Sequence, residues 1–196
     1  MRTFILSLLL SVPFLSTAQQ LRPATVDVAY FGETATHPGL KVAATYPLKT
    51  WTKTKDKRGT EITLEKRIEL SPNLGFYHHC HFQTGLFSIP ELAYTRLKPS
   101  GRYLSIGLGA GYLGTIVPEV YRLHGSEWER SFTTIHYAAA SASLTLGKDR
   151  NTVGTGKLNT YFKPQCIYAF PGTPRGVWYL ALEVGVRFQT LGGHKN

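Results

Sequence analysis

The run His78-His79-Cys80-His81 is the densest group of side chains in the sequence that are able to bind a metal. Imidazole and thiolate groups are the ligands that zinc and copper sites use. At the end of a strand, alternation sends neighbouring side chains to opposite faces, so only a tight turn would gather two or three of these ligands. Their spacing matches no established zinc pattern. We therefore assign no metal site and leave open whether these four residues bind a metal.

His136 is the candidate for catalysis. The alternation described below places its side chain on an outward face near the end of a strand. A histidine base at that position would need a nucleophilic serine within hydrogen-bond reach. The sequence contains neither Gly-x-Ser-x-Gly nor a His-x-Ser-Asn-like pattern. We predict an interfacial histidine and no catalytic site.

Glycines 107, 109, 111 and 114 have the spacing of a nucleotide-binding loop. A dinucleotide fingerprint must follow a strand and open a helix, where backbone N–H groups meet the phosphates. Here the glycines lie within one alternating segment, and no amphipathic helix follows. The sequence therefore predicts no nucleotide and no other cofactor.

The elements that carry these residues show a period of two. In residues 40–48, 104–112, 138–146 and 180–188, apolar side chains alternate with small or polar ones. Successive side chains of a strand point to opposite faces, so each segment has one apolar face and one polar or small face. The pattern predicts an all-β protein, with turn signals rich in glycine, lysine and proline between the strands.

The alternation and the turn signals together predict eight strands. They lie near residues 24–31, 39–48, 62–77, 82–96, 101–123, 131–147, 157–170 and 177–189. This number of antiparallel strands is typical of a closed up-and-down barrel. The fold class that we predict is an antiparallel up-and-down membrane β-barrel that follows a cleaved signal peptide.

The first twenty residues resemble a secretory signal. Arg2 precedes an apolar run over residues 4–15, and small residues end at Ala18. The run is shorter than the roughly 20 apolar residues that a membrane-spanning helix needs. We expect cleavage after Ala18, which divides the chain into a signal peptide, 1–18, and a single β-barrel domain, 19–196.

Charge and cysteine content limit the partners. The chain carries a formal charge of +10, and an exported basic protein meets anionic lipid and lipopolysaccharide phosphates before it meets nucleic acid. The most basic segment runs from Lys53 to Arg58 beside Trp51 and is predicted to be a loop. Cys80 is expected in a turn and Cys166 on an outward face, so we predict no disulfide between them.

The composition of the polar faces indicates which face of each strand points out of the barrel. The second faces of residues 103–111 and 141–147 are small, which suits a crowded interior better than a water-facing surface. The charges on this second face are few and balanced, three acids and three bases. They are Lys41, Glu69, Glu91, Lys163, Glu183 and Arg187. Paired charges of this kind are tolerated in a confined lumen.

Aromatic spacing also favours a membrane barrel. Trp178 and Phe188 share the outward face and are ten residues apart, which corresponds to about 25 Å along the membrane normal for a tilted strand.

Three prolines argue against regular strands. Pro72, Pro90 and Pro164 lie inside predicted strands. Because proline cannot donate to a ladder, we expect bulges or early strand ends at these positions.

The apolar start, the eight alternating segments and a last strand reading Trp-Tyr-Leu-Ala-Leu-Glu-Val-Gly-Val-Arg-Phe resemble a small outer-membrane β-barrel protein of Gram-negative bacteria. The resemblance implies location in the cell outer membrane and contact with its lipid and lipopolysaccharide. Such barrels often end on an aromatic residue. Here residues 189–196 extend past Phe188, so the assembly signal would be internal.

Three functions fit this sequence. The first is a non-enzymatic outer-membrane barrel with a side-chain-filled lumen, in a structural or interaction role, alone or within an envelope complex. The second is a lipid-modifying barrel enzyme that uses His136. The third is a soluble periplasmic barrel with its apolar face inward around a small apolar ligand.

Overall fold

The computed structural model describes residues 25–33, 37–57, 60–79, 83–124, 127–149, 158–171 and 176–189, and nearly all of them are antiparallel β-strand. Ten strands are present in this part of the chain. They are β1 (Thr25–Glu33), β2 (His37–Lys57), β3 (Thr60–Ser71), β4 (Asn73–His79), β5 (Gln83–Ser88), β6 (Glu91–Leu97), β7 (Arg102–His124), β8 (Glu127–Lys148), β9 (Leu158–Phe170) and β10 (Val177–Gln189). None of the described residues forms a helix that is long and apolar enough to cross a membrane.

Two pairs of these strands are the halves of longer, interrupted strands. β3 and β4 meet at Pro72, and both pair with β2. β5 and β6 meet at Ile89 and Pro90, and both pair with β7. At each interruption the proline carbonyl still accepts a bond from the neighbouring strand, from Ala44 N at 3.0 Å and from Ala110 N at 3.3 Å. The predicted strands 62–77 and 82–96 are thus each two shorter ones, and the ring has eight strands as predicted.

The ring closes in an up-and-down order. When β3 with β4 and β5 with β6 are each counted as one strand, every strand of the ring pairs with the next one along the chain, and β10 returns to pair with β1. The pairing can be followed from Tyr161 on β9 around the barrel. The path runs through Gly185, Ala29, Lys41, Gly75, Phe87, Leu113 and Tyr137. Continuing the β8–β9 register, which pairs Ala138 with Phe170, it returns to β9 at position 171, so the shear is 171 − 161 = 10 residues.

A ring of eight strands with this shear has a narrow interior. Strand spacing and rise per residue give a strand tilt of about 40° and a backbone radius of about 8 Å. Such an interior is just wide enough for side chains to fill. The barrel predicted from the period of two is therefore confirmed, and its geometry already favours a filled lumen.

Pro164 departs from the expectation of a bulge or a strand end. It lies in the middle of β9, opposite Leu182 of β10, and the register on that side runs without a shift. On the other side, paired positions of β8 and β9 stop at Ser143–Gln165 and resume at Leu146–Phe162 with the same register. The missing N–H of Pro164 thus coincides with a short gap in one ladder, and the strand continues through it.

Two hairpins extend beyond the ring. Within the described residues, β2 pairs with β1 only as far as Thr45, which lies opposite the first described residue of β1, and beyond it with β3 alone. β7 pairs with β5 only as far as Ile116, and beyond it with β8 alone. The predicted strand 39–48 was therefore too short. The basic segment around Lys53 and Lys55 is strand, not the predicted loop, while position 58 lies outside the described residues.

Candidate functional site

A layer of paired charges fills the middle of the lumen. Lys41 Nζ donates to Glu183 Oε2 at 2.8 Å, and Lys163 Nζ donates to Glu91 Oε2 at 2.5 Å. Lys163 Nζ also lies 3.9 Å from Glu183 Oε2, which joins the two pairs. The four residues come from β2, β6, β9 and β10. Because all four side chains are buried, four strands are linked through the interior.

Hydroxyl groups complete the bonding of these carboxylates. Tyr161 Oη donates to Glu183 Oε1 at 2.5 Å, and Ser143 Oγ donates to Glu91 Oε1. Both oxygens of each carboxylate therefore have a partner. Buried charges persist only when they are paired and hydrogen-bonded in this way. Gly107 faces the same layer, and a Cβ at that position would overlap the Glu91 carboxylate, so the glycine leaves room for the charge.

A third ion pair lies on the side of the layer towards the start of β1 and the end of β10. Arg187 donates from Nε and Nη2 to the two oxygens of Asp27, each at 2.8 Å. The rings of Tyr103 and Tyr161 lie 5.7 Å from the guanidinium carbon. A bidentate pair between aromatic faces holds the arginine in one orientation.

The inward charges predicted from the sequence are all confirmed. Lys41, Glu69, Glu91, Lys163 and Glu183 are buried, and Arg187 is partly buried among them. Glu69 accepts from Thr95 Oγ1 at 2.7 Å. Asp27 also faces the lumen and was not predicted to do so. Its position two residues before the inward Ala29 was the available signal.

An apolar plug closes the other half of the lumen. The Phe31 ring lies 4.7 Å from that of Phe87 and 6.3 Å from that of Tyr77, centroid to centroid. Small residues on adjacent strands make room for these rings, since a Cβ on Gly75 would overlap the Phe87 ring. The cluster is completed by further buried side chains. These are Ile89, Leu113, Ala139, Ile167, Ala169, Tyr179 and Ala181.

Charged layer and plug leave little free space. A cavity of about 30 Å³ lies among the charges and one of about 10 Å³ among the aromatic rings. The larger has room for one or two water molecules, and neither has room for an organic ligand. Within the described residues the apolar side chains of the ring also point mainly outward. Both findings contradict the inverted barrel around a small apolar ligand.

The outer wall carries a continuous apolar band. Trp178 and Phe188 on β10 both face outward, with 68% and 44% of their surface exposed, as the sequence predicted. Exposed apolar side chains also occupy outward positions on all the remaining strands of the ring. Examples are Tyr30, Val42, Leu74, Leu86, Leu92, Ile106, Leu108, Leu144 and Phe162. At the tilt given above, ten residues of strand correspond to a band about 25 Å tall.

His136 lies on this outer wall, where the sequence placed it. It is exposed, and its Nδ1 is hydrogen-bonded to the hydroxyl of Tyr112 on β7. Backbone pairing sets His136 opposite Gly114, which leaves room for the tyrosine ring. This imidazole nitrogen is therefore bonded to a phenol, not to the serine that an acyl-transfer mechanism requires.

The histidine run is divided by strand alternation, as predicted. His78 Nδ1 is hydrogen-bonded to Thr84 Oγ1 at 2.8 Å on an exposed surface. The His79 ring packs against that of His37 from β2, with centroids 4.3 Å apart. Cys80 and His81 lie outside the described residues. Among the residues that are described, no three histidine, cysteine or acidic side chains form a metal-binding group.

Cys166 lies in β9 with its side chain partly exposed, and it is not in a disulfide. It follows the outward alternation of Phe162, as predicted, while Cys80 is not described. The glycines of the supposed nucleotide loop lie within β7. They therefore lie in a strand, the context that the sequence predicted for them.

No family model matches the sequence, and no curated protein matches it significantly. Among solved structures, the chain is similar to one described as the N-terminal beta-barrel domain of Pseudomonas aeruginosa OprF. The two share 16% sequence identity, and the TM-score is 0.46. The match covers 85% of this chain and 98% of that chain.

Proposed function

We propose that this protein is a non-enzymatic barrel of the cell outer membrane, with a closed lumen and a structural or interaction role in the cell envelope. The observation that carries the proposal is the outward apolar band, because a water-exposed barrel of this size would present charged side chains there. A closed ring with no free edge is also the way in which β-strands satisfy their backbone bonds in lipid. The band height fits the hydrocarbon region of an outer membrane.

The partners that we propose are outer-membrane lipid, including lipopolysaccharide, and an envelope protein complex. Lipid contact follows from the apolar band and from the basic side chains beyond one end of it. Protein contact would use the two projecting hairpins, whose strand ends pair only with each other within the part of the chain that the structure describes. Unpaired strand edges are templates for association with a further chain.

The absence of enzymatic activity is part of the same proposal. His136 is held by Tyr112 on the lipid-facing wall, and the buried carboxylates are engaged in ion pairs. A lipid-modifying role would need a nucleophile beside His136 in reach of an acyl or phosphoryl group. Lipid analysis of cells that express the protein, compared with the His136→Ala variant, is the measurement. New lipid species that disappear with the variant would contradict the proposal.

Cell fractionation tests the proposed location. We expect the protein to partition with the outer membrane and to migrate differently on gels before and after heating, because a folded barrel resists detergent until it is boiled. The same mobility shift should return after the urea-unfolded chain is refolded into detergent. Recovery of the whole protein from the soluble periplasmic fraction would contradict the membrane assignment.

The refolded barrel is expected to conduct no ions. The plug around Phe31 and the charged layer around Glu183 both lie across the lumen, and each would have to open for an ion to pass. Planar-bilayer recording is the measurement, with a large porin as the positive control. Steady single-channel currents from the refolded protein would show that the lumen is open.

A further inference from the structure

A group of cations and aromatic rings lies on the outer wall at the base of the β2–β3 hairpin. We call Lys49, Lys66, Arg96, Trp51 and Tyr94 the interfacial basic cluster. Trp51 is paired across the strands with Lys66, and Lys66 with Arg96, so the three form one row on one face. Lys49 Nζ lies 5.9 Å from the Trp51 ring centre, and Lys66 Nζ lies 5.9 Å from that of Tyr94.

Among the described residues, no acidic side chain forms an ion pair with the cations of this cluster. Lys66 and Arg96 are directly opposite each other on neighbouring strands, an arrangement of like charges that destabilises a sheet. Over the part of the chain that the structure describes, the ion pairs involve neither these two residues nor Lys49. The Trp51 and Tyr94 rings pack against each other at a tilt of 40°, with 6.1 Å between centroids. An anion bound over the row would relieve the repulsion.

The cluster lies just beyond the apolar band. Leu70 and Leu92 belong to the band and are exposed on its outer side. Lys66 lies four residues before Leu70, and Arg96 lies four residues after Leu92. Because the two strands are antiparallel, both cations are displaced in the same direction, about 13 Å from the leucines along the strand. Tyrosine and tryptophan prefer this level, where hydrocarbon gives way to headgroups. A lipid whose acyl chains cover Leu70 and Leu92 would bring its phosphate to the cations.

We propose that the interfacial basic cluster is a binding site for the phosphate of an anionic lipid headgroup. Arg96 supplies a planar set of N–H donors, and Lys66 and Lys49 supply point charges on long stems. The site rests on the proposed function, since it requires that the band lie in a bilayer. It adds a localised preference for lipid charge to a wall that otherwise contacts any acyl chain.

Fluorescence quenching by brominated lipids tests the site. The barrel is reconstituted with Trp51 as the single tryptophan, in a Trp128→Phe, Trp178→Phe background. We expect brominated phosphatidylglycerol to compete for the neighbourhood of Trp51 about fivefold or more better than brominated phosphatidylcholine, given the usual attraction of each basic residue for an anionic surface. Equal quenching by the two lipids would overturn the proposal.

Paired variants separate a site from general attraction. Lys66→Gln with Arg96→Gln is expected to bring the preference close to one, while Lys66→Arg retains it. The control, Lys53→Gln with Lys55→Gln, removes two exposed cations from the projecting part of β2 and should leave the preference unchanged. An equal loss in the control would overturn a localised site. Excess inorganic phosphate should not abolish the preference at matched ionic strength, and abolition would show that free phosphate is bound instead.

Failure of the site and failure of the proposed function give different readouts. A second protein keeps Trp178 as its single tryptophan, on the apolar band at the opposite end of the membrane-facing wall. Both brominated lipids should quench Trp178 equally well in every variant. If neither lipid quenches Trp178, the barrel is not in the bilayer and the proposed function fails. If Trp178 is quenched but Trp51 shows no preference, only the lipid site is refuted.

Discussion

Replacing Glu183 with alanine is expected to destabilise the folded barrel by about 3–5 kcal/mol, the usual effect of removing one partner from a buried ion pair. Glu183 is 2% exposed and accepts from Lys41 and from Tyr161, with Lys163 close by. Its removal leaves a buried ammonium and a buried hydroxyl without these partners. Urea unfolding of the reconstituted barrel, followed by tryptophan fluorescence, measures the change.

Two further proteins, a control variant and a double variant, test this prediction. Glu61→Gln removes a carboxylate from an exposed position of β3 and should change the stability by less than about 0.5 kcal/mol. Lys41→Met combined with Glu183→Leu removes both charges of one pair, so the loss should be smaller than the sum of the two single variants. A Glu183→Ala barrel as stable as the Glu61→Gln barrel would show that the charged layer does not hold the interior together.

Arginine in place of Leu182 is expected to destabilise the inserted barrel by about 2–4 kcal/mol, the cost of a cation near the bilayer midplane. Leu182 faces outward on β10 with 38% of its surface exposed, between Trp178 and Phe188. Because its side chain points away from the lumen, the cost would arise mainly from lipid and not from lost core packing.

The matched control places the same residue outside the band. Thr54→Arg lies on the projecting part of β2, where the side chain is exposed, and should leave the stability nearly unchanged. Both variants are unfolded with urea from vesicles of the same composition. Equal stability of the Leu182→Arg and Thr54→Arg barrels would argue against lipid around β10.

The sequence predicted the ring because its signal is local. In β7, β8 and β10 one face is apolar and the other small or polar at nearly every position, so a single strand suffices to define in and out. The alternation in β1 was a weaker signal, because its inward face combines Asp27 with Ala29 and Phe31. The extension of β2 carries Lys and Thr in place of an apolar face. A two-stranded hairpin in water needs no such face, so the period of two could not locate its end.

Side-chain contacts between distant strands could not be predicted from the sequence. That Phe87 fills the space over Gly75, or that Asp27 receives Arg187, depends on the register between strands that are far apart in the chain. The sequence showed which residues form each inward face, but not which inward side chains of other strands they contact. The small residues of β7 and β8 correctly indicated a crowded interior, although most of the large side chains that crowd it, such as Phe31, Phe87 and Tyr161, come from other strands.

Labelling of single cysteines at positions 182 and 183 tests the central claim, that the apolar face of this barrel lies in lipid. Each is introduced into a Cys80→Ser, Cys166→Ser background and reconstituted in vesicles. We predict that a lipid-confined thiol reagent reaches position 182 and a water-soluble one does not, while position 183, which faces the filled lumen, reacts with neither. Rapid labelling of position 182 from water in the folded, reconstituted barrel would contradict the account.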